Sequence, residues 1–177
     1  NLYSNCLLAL DIRTGKLAWY KQLVPHDELD RGVTSPGPLF SSKINGAIRP
    51  LIATAGKDGV VRVFDRETKK LLYETPVTTM LNETVSPSQQ GTRVCPGILG
   101  GVQWNGLSYN PTTNLIYAPA VDWCTTFKKG SDEESMLAPH MRKSNMGGSF
   151  KLDDVKEAKG WLTAVDASTG KIKWQYA

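Results

Sequence analysis

The sequence predicts an all-β chain, a partial β-propeller of about three to four small antiparallel sheets with two long loops. Three observations carry this. An eleven-residue motif recurs, ALDIRTGKLAW at residues 9–19 and AVDASTGKIKW at residues 164–174, matching in Ala, Asp, Thr, Gly, Lys and Trp at the same offsets. A worn copy, VFDRETKKLLY, lies between them at residues 63–73, with Val for Ala, Lys69 for Gly and Tyr73 for Trp. Short apolar segments bounded by Gly, Asn, Asp or Pro recur along the chain, a pattern of strands and tight turns with no helical period.

Each copy of the motif has the make-up of a β-hairpin. In the first, LLAL is a strand, DIRTG the turn and KLAWY the return strand. Asp11 and Thr14 are suited to bond backbone groups within that turn, and Gly15 supplies the positive φ that a side chain resists. RPLIATAG, GVVRVFD and NLIYAPAV read as further strands. The first two copies start 54 residues apart and the last two 101, or about one and then two periods of the size of a propeller blade. Two segments break the rhythm: residues 75–106, rich in Thr, Ser, Pro and Gly, and residues 124–159, a polar insert with a charged run at 128–134. Both are expected to be long loops on a face of the sheets.

With 177 residues, 40% hydrophobic and 21% charged, the chain suffices for one packed domain. No stretch reaches the roughly 18 consecutive apolar residues of a membrane-spanning helix. The opening NLYSNCLLALD has neither the basic start nor the apolar core of a signal peptide, so any export signal is expected outside this sequence. The formal charge of +4 is spread over scattered pairs such as Lys69-Lys70, Lys128-Lys129 and Arg142-Lys143, which argues against a nucleic-acid surface. No CxxCH haem motif and no GxGxxG dinucleotide motif is present. Cys95 and Cys124 are too far apart for a local metal pair, and no His cluster accompanies them.

The repeated motif resembles the tryptophan-docking motif of the pyrroloquinoline quinone (PQQ) dependent alcohol dehydrogenases, whose catalytic subunit is an eight-bladed β-propeller. Further stretches resemble the same family in its own order. NLYSNCLLALD is similar to the segment directly after the family's catalytic aspartate, and VPHDELD, residues 24–30, to its Pro-His-Asp-x-Trp-Asp loop. AGKDGVVRVFDRET resembles the strand-turn-strand that offers a Lys or Arg to the quinone. CPGILGGVQWNGLSYNPTTNLIYAPAVDWC resembles the stretch holding a structural disulfide and a PQQ-contacting Asn. The resemblance runs over essentially the whole chain, which is similar to an internal, middle-to-late piece of the family's longer sequence.

The resemblance implies roles for particular residues. In the family, the Trp of one blade stacks between the Ala of its own motif and the Gly turn of the next. Ala9, Gly15, Trp19, Ala164, Gly170 and Trp174 are therefore expected to dock blades together, with both Trp rings largely buried unless a terminal blade lacks a neighbour. A lysine in a Gly-Lys-Asp-Gly turn is ordinarily a solvated turn residue. By resemblance, Lys57 instead becomes a cofactor-binding cation that steadies negative charge on the quinone oxygens.

Gln103 stands where the family has its PQQ-contacting Asn, keeping an amide and lengthening its reach by one methylene. Trp104 either lines the cofactor chamber or packs the loop, while Trp123 and Trp161 are read as packing. Cys95 and Cys124 are expected to form the disulfide, leaving Cys6 as a buried thiol, and that bond implies a periplasmic or otherwise extracytoplasmic compartment. His26, beside Asp27, Glu28 and Asp30, is read as part of an architectural loop in preference to a metal site, and His140 as solvated. Leu29 stands where the family has Trp, and Gly32 where it often has Asp, so the loop after His26 is expected to pack differently.

A parent of this kind oxidises an alcohol or related hydroxyl substrate by passing a hydride to calcium-bound PQQ, and hands the electrons to an acceptor. Its base Asp is expected immediately before Asn1, and its Glu and Asn calcium ligands further upstream. The 177 residues alone are thus expected to bind neither PQQ nor calcium, to be catalytically silent and to self-associate through open sheet edges. The alternative, from a different class, is a non-catalytic propeller that uses the same repeats as a scaffold for protein partners. Lys57, the Cys pair and the His-Asp loop favour the enzyme.

Overall fold

A computed structural model describes residues 2–33, 37–131 and 147–177; Asn1, His140 and most of the charged end of the 128–134 run lie outside the described residues. The described residues form four antiparallel sheets. β1 (Cys6–Leu10) pairs with β2 (Leu17–Gln22). β3 (Leu39–Ile44), β4 (Ala47–Thr54), β5 (Val60–Asp65) and β6 (Leu71–Pro76) follow one another in a four-stranded meander. A second four-stranded sheet takes β8 (Ser108–Asn110), β9 (Leu115–Asp122), β12 (Lys159–Asp166) and β13 (Ile172–Tyr176). The fourth sheet has three strands, β7 (Thr92–Val94), β10 (Thr125–Lys129) and β11 (Gly148–Leu152), with β10 in the middle.

The 101 residues between the second and third motif copies therefore hold two sheets, as the period indicates, but the sheets are nested. The chain builds β8 and β9, leaves to form β10 and β11, and returns as β12 against β9 in an unbroken register from Lys159–Asp122 to Asp166–Leu115. The segments at 75–106 and 124–159, expected to be loops, are thus corrected: they supply β7, β10 and β11 and a 3-10 turn at Val155–Glu157. Their Thr- and Lys-rich strands escaped notice because only part of one face is buried, through Val94, Phe127 and Leu152, packed with Leu29 and Ile98.

The three motif copies are the hairpins β1–β2, β5–β6 and β12–β13. Each pairs the small or branched residue with the ring across the ladder, Ala9 with Trp19, Val63 with Tyr73 and Ala164 with Trp174, and each has its register shift immediately after that residue. Each turn is closed by its aspartate. Asp11 Oδ1 accepts from the backbone N–H of Arg13 and Thr14, Asp65 Oδ1 from Glu67 and Thr68, and Asp166 Oδ1 from Ser168 and Thr169. The last turn residue is left-handed in all three, Gly15 at φ 68°, Lys69 at 62° and Gly170 at 72°.

At Lys69 and Gly170 those left-handed residues are where neighbouring sheets meet. A Cβ on Gly170 would fall 2.5 Å from the Tyr73 ring, so the ring lies directly against the glycine. The Tyr73 hydroxyl donates to the Ala167 carbonyl at 2.9 Å, and Thr75 Oγ1 to that of Gly170 at 2.7 Å. Burial raises the Tyr73 phenol well above its ordinary pKa. One sheet earlier, Lys69 Nζ stands 5.4 Å over the Trp19 ring, a cation–π contact in place of ring on glycine. Trp19 is half-buried, and Trp174 is 42% exposed, with Tyr117 as its ring neighbour at 5.9 Å. Trp19 is less buried than expected, and Trp174 is the case of a terminal hairpin without a neighbour: among the described residues no further left-handed turn covers it. Cys6, expected to be buried, is half-buried in the two-stranded sheet.

The main core lies between the two four-stranded sheets, where Leu51, Val61, Val63, Ile116 and Val165 are fully enclosed. β5, VVRVFD, is buried at all six residues, as its near-continuous apolar run suggests for an inner strand. Leu23, Ile52 and Phe64 join the β1–β2 sheet to the β3–β6 sheet.

Gly170→Ala is expected to cost about 2 to 4 kcal/mol, combining backbone strain with the collision against Tyr73. Gly15→Ala, with open space around its Cβ, should cost only the roughly 1 to 2 kcal/mol of a left-handed alanine. Equal losses for the two in urea denaturation would contradict the ring-on-glycine contact.

Acid should also loosen the hairpin turns. Backbone N–H donors, led by Thr14 at Asp11 and Thr68 at Asp65, hold both carboxyls below their ordinary pKa; at Asp166 burial pushes the other way and is outweighed by Ser168, Thr169 and Lys173. A lowered folded pKa stabilises the fold above the unfolded value of about 3.9 and is lost as pH falls through the folded value. Melting temperature should thus fall below about pH 4, and more shallowly in Asp65→Asn.

Candidate functional site

Connections from β2 to β3, β4 to β5, β6 to β8 and β9 to β12 all leave the sheets at the same end, and this end carries the candidate residues. Lys57 sits in the β4–β5 turn. Its backbone N–H donates to the Gly32 carbonyl at 3.1 Å, and the neighbouring Gly56 carbonyl accepts from Val102 N–H at 2.9 Å. The turn is thereby held between the loop after β2 and the connection to β8. Gly101 makes this approach possible: at φ 80° it lies so close that a Cβ would be 2.4 Å from the Lys57 backbone.

The Lys57 side chain is 13% exposed, and its Nζ meets Asp30 Oδ2 at 2.5 Å. Asp30, itself at φ 58°, is the partner that sequence reading did not assign to Lys57. Nothing in a separation of 27 residues announces it; the only signal was its place in the His-Asp loop. Asp27 secures that loop, accepting from Leu29 N–H, Arg31 N–H and Asn5 Nδ2 at 2.7–2.9 Å. Leu29, in place of the family's Trp, is buried against the three-stranded sheet.

Gln103 follows directly on Val102, so its backbone is brought beside the Lys57 turn. Its amide turns back, Nε2 donating to the Gly100 carbonyl at 3.3 Å. Trp104 is 79% exposed, and of the two expectations for it packing of the loop is the one it does not meet. Trp123 and Trp161 each donate their indole N–H, to the Asp153 carbonyl at 3.1 Å and to Asp122 Oδ2 at 3.2 Å. Cys95 and Cys124 form a disulfide, and Cys6 is a free thiol. The bond ties the end of β7 to the corner between β9 and β10, at the base of the segment carrying Gly101 and Gln103.

Radial antiparallel sheets locked ring-to-turn, with chemistry-bearing residues on one end, define a stretch of β-propeller. The family model for the glucose/ethanol/alcohol dehydrogenase PQQ β-propeller domain matches residues 1–85. The chain is 26% identical to the quinoprotein alcohol dehydrogenase PedH of Pseudomonas putida over 99% of this chain and 32% of that protein. It is 33% identical to the quinohemoprotein alcohol dehydrogenase of Comamonas testosteroni over 68% of this chain and 19% of that protein. The crystal structure of the Comamonas testosteroni enzyme superposes with a TM-score of 0.80 at 26% identity, over 99% of this chain and 29% of that one. The chain belongs to the PQQ-dependent alcohol dehydrogenase family and spans about a third or less of the length of these relatives. No helix among the described residues is long and apolar enough to cross a membrane.

Two outcomes check the geometry of this end. Gly101→Ala should destabilise by about 2 to 4 kcal/mol, because its Cβ has only rigid Lys57 backbone to push against. Reduction of the disulfide should lower stability by roughly 3 to 4 kcal/mol for a loop of 29 residues in the chain-entropy model, read as a shift in the urea midpoint with and without dithiothreitol.

Proposed function

We propose that this chain is part of a quinoprotein dehydrogenase that oxidises an alcohol or related hydroxyl substrate with PQQ and calcium, outside the cytoplasm, and passes the electrons to a separate acceptor. The observation that carries it is Lys57, a largely buried ammonium fixed in a turn clamped from both sides at the end of the sheets where the connections gather. When bound, the quinone supplies the hydride acceptor and the metal polarises it.

The residues present fit such a group. Lys57 Nζ has three N–H donors, one of which goes to Asp30; the others suit oxygens that gain negative charge during reduction. Asp30 holds the ammonium in place. Gln103 follows Val102, whose backbone is bonded to the Lys57 turn, and Trp104 offers a flat apolar face to a planar ring. The described residues contain no group of three or more His, Cys, Asp or Glu placed to hold a metal ion, and calcium is assigned no ligand among them. The disulfide supports an oxidising compartment.

The test is dye-coupled oxidation of short alcohols and sugars by the protein expressed from its full reading frame and supplied with PQQ and calcium. Lys57→Gln should lower turnover by about 10²-fold, the usual loss when a donor aimed at developing charge is removed. Turnover unchanged in Lys57→Gln, or no oxidation of any hydroxyl substrate by a protein that retains PQQ, would defeat the assignment.

A further inference from the structure

A cleft of about 710 Å³ opens between the loop at residues 23–31, strands β5 and β6, and residues 80–86. That is within the roughly 300–1,000 Å³ of small-molecule sites. Neither Lys57 nor Asp30 is among its lining residues, whereas Leu29, which departs from the family pattern, is.

The cleft wall holds an unusual cation. Arg31 is 5% exposed, and its Nε and Nη2 are buried without a hydrogen-bond partner among the described residues. Arg62, in the same wall, is by contrast ion-paired: Nη1 lies 2.5 Å from Asp58 Oδ2, though neither atom makes a hydrogen bond, and Nε donates to Glu74 Oε1 at 2.7 Å. A buried charged donor left without an acceptor bears the full cost of its lost hydration, so Arg31 calls for an oxygen from elsewhere.

The surrounding charge decides what kind of oxygen. The lining sets five carboxylates against two arginines. Asp58 and Glu74 face Arg62, Asp27 is taken up by the loop's own N–H groups, and Glu28 accepts from Ser86 at 2.6 Å. Burial lowers the pKa of Arg31, while Asp58, Asp27 and Glu83 act to raise it. An anionic ligand would add negative charge where it is already in excess. A hydroxyl adds none, and it both accepts, from the guanidinium, and donates, to a carboxylate. Leu23, Leu29, Val60 and Val85 provide apolar wall for carbon-bound hydrogens.

We propose that this cleft binds a small neutral polyhydroxylated molecule, a sugar or sugar alcohol, with Arg31 donating to its hydroxyl oxygens and Glu83 accepting from them. The site is independent of the cofactor role assigned to Lys57.

Saturation-transfer NMR and calorimetry on the 177-residue chain, with D-sorbitol and D-glucose against sodium phosphate and sodium acetate at fixed ionic strength, test it. Saturable binding of a polyol, with a shift of the Arg31 Nε–H resonance and no saturable binding of either anion, is expected. Arg31→Met, which keeps the stem and removes the donors, should weaken polyol binding by about tenfold or more. Should that variant fail to fold, Glu83→Gln serves instead, with a loss of roughly threefold. Lys57→Gln should leave polyol binding unchanged, and loss of binding there would place the ligand at the Lys57 site and overturn the proposal. Phosphate or acetate binding more tightly than either polyol overturns it, as does the absence of saturable polyol binding or unchanged binding in both cleft variants.

Discussion

A left-handed residue at the end of the second and third motif turns, with the ring of the preceding hairpin against it, is the contact on which the arrangement of the sheets depends. Only a residue without a Cβ lets an aromatic face approach a backbone this closely, which is why Tyr73 finds Gly170. Where the chain has Lys69 instead, the left-handed conformation is kept, with Asp65 closing the turn, and the ammonium takes the place of backbone over the Trp19 ring. The geometry is thus set by the turn, and the chemistry of the contact can change without loss of the fold. The contact lies at one end of the hairpins, and the connections between sheets gather at the other.

A shared apolar cluster and a cross-link explain why two polar segments fold at all. Neither the stretch after β6 nor the insert between β9 and β12 has enough apolar residues for a core of its own. Together they supply β7, β10 and β11, bury Val94 and Phe127 against Leu29, and are cross-linked by Cys95 and Cys124. Asp122 adds a polar fastening, accepting from the backbone and hydroxyl of Thr79 and from the Trp161 indole. The result is a covered end that holds the Gly101 segment against the Lys57 turn.

The two sites at this end use cations in opposite ways. Lys57 is paired, largely buried and held by backbone on both sides, a fixed charge with donors to spare. Arg31, a single residue beyond Asp30, is buried and has unspent donors in a field of carboxylates. One loop, fastened by Asp27, thereby sends neighbouring side chains apart, Asp30 to Lys57 and Arg31 to the cleft, and the left-handed backbone at His26 and Asp30 gives it the tight curvature to do so.

Much of the fold was legible in the residues themselves. Asp, Thr, Gly and ring at fixed offsets encode a hairpin through interactions that close within eleven residues, so the three motif hairpins, their turns and the inner strands could be read directly, and family resemblance singled out Lys57 and the cysteine pair. The sequence could not show that β12 returns to β9 across the insert, that Asp30 meets Lys57, that Trp104 stands in solvent, or that Arg31 lies buried with Nε and Nη2 unpartnered. Each of those depends on which surfaces the packed sheets cover and which they leave open. Local hydrogen bonds carry their own spacing along the chain, whereas burial and long-range pairing are settled only when distant segments compete for the same surface.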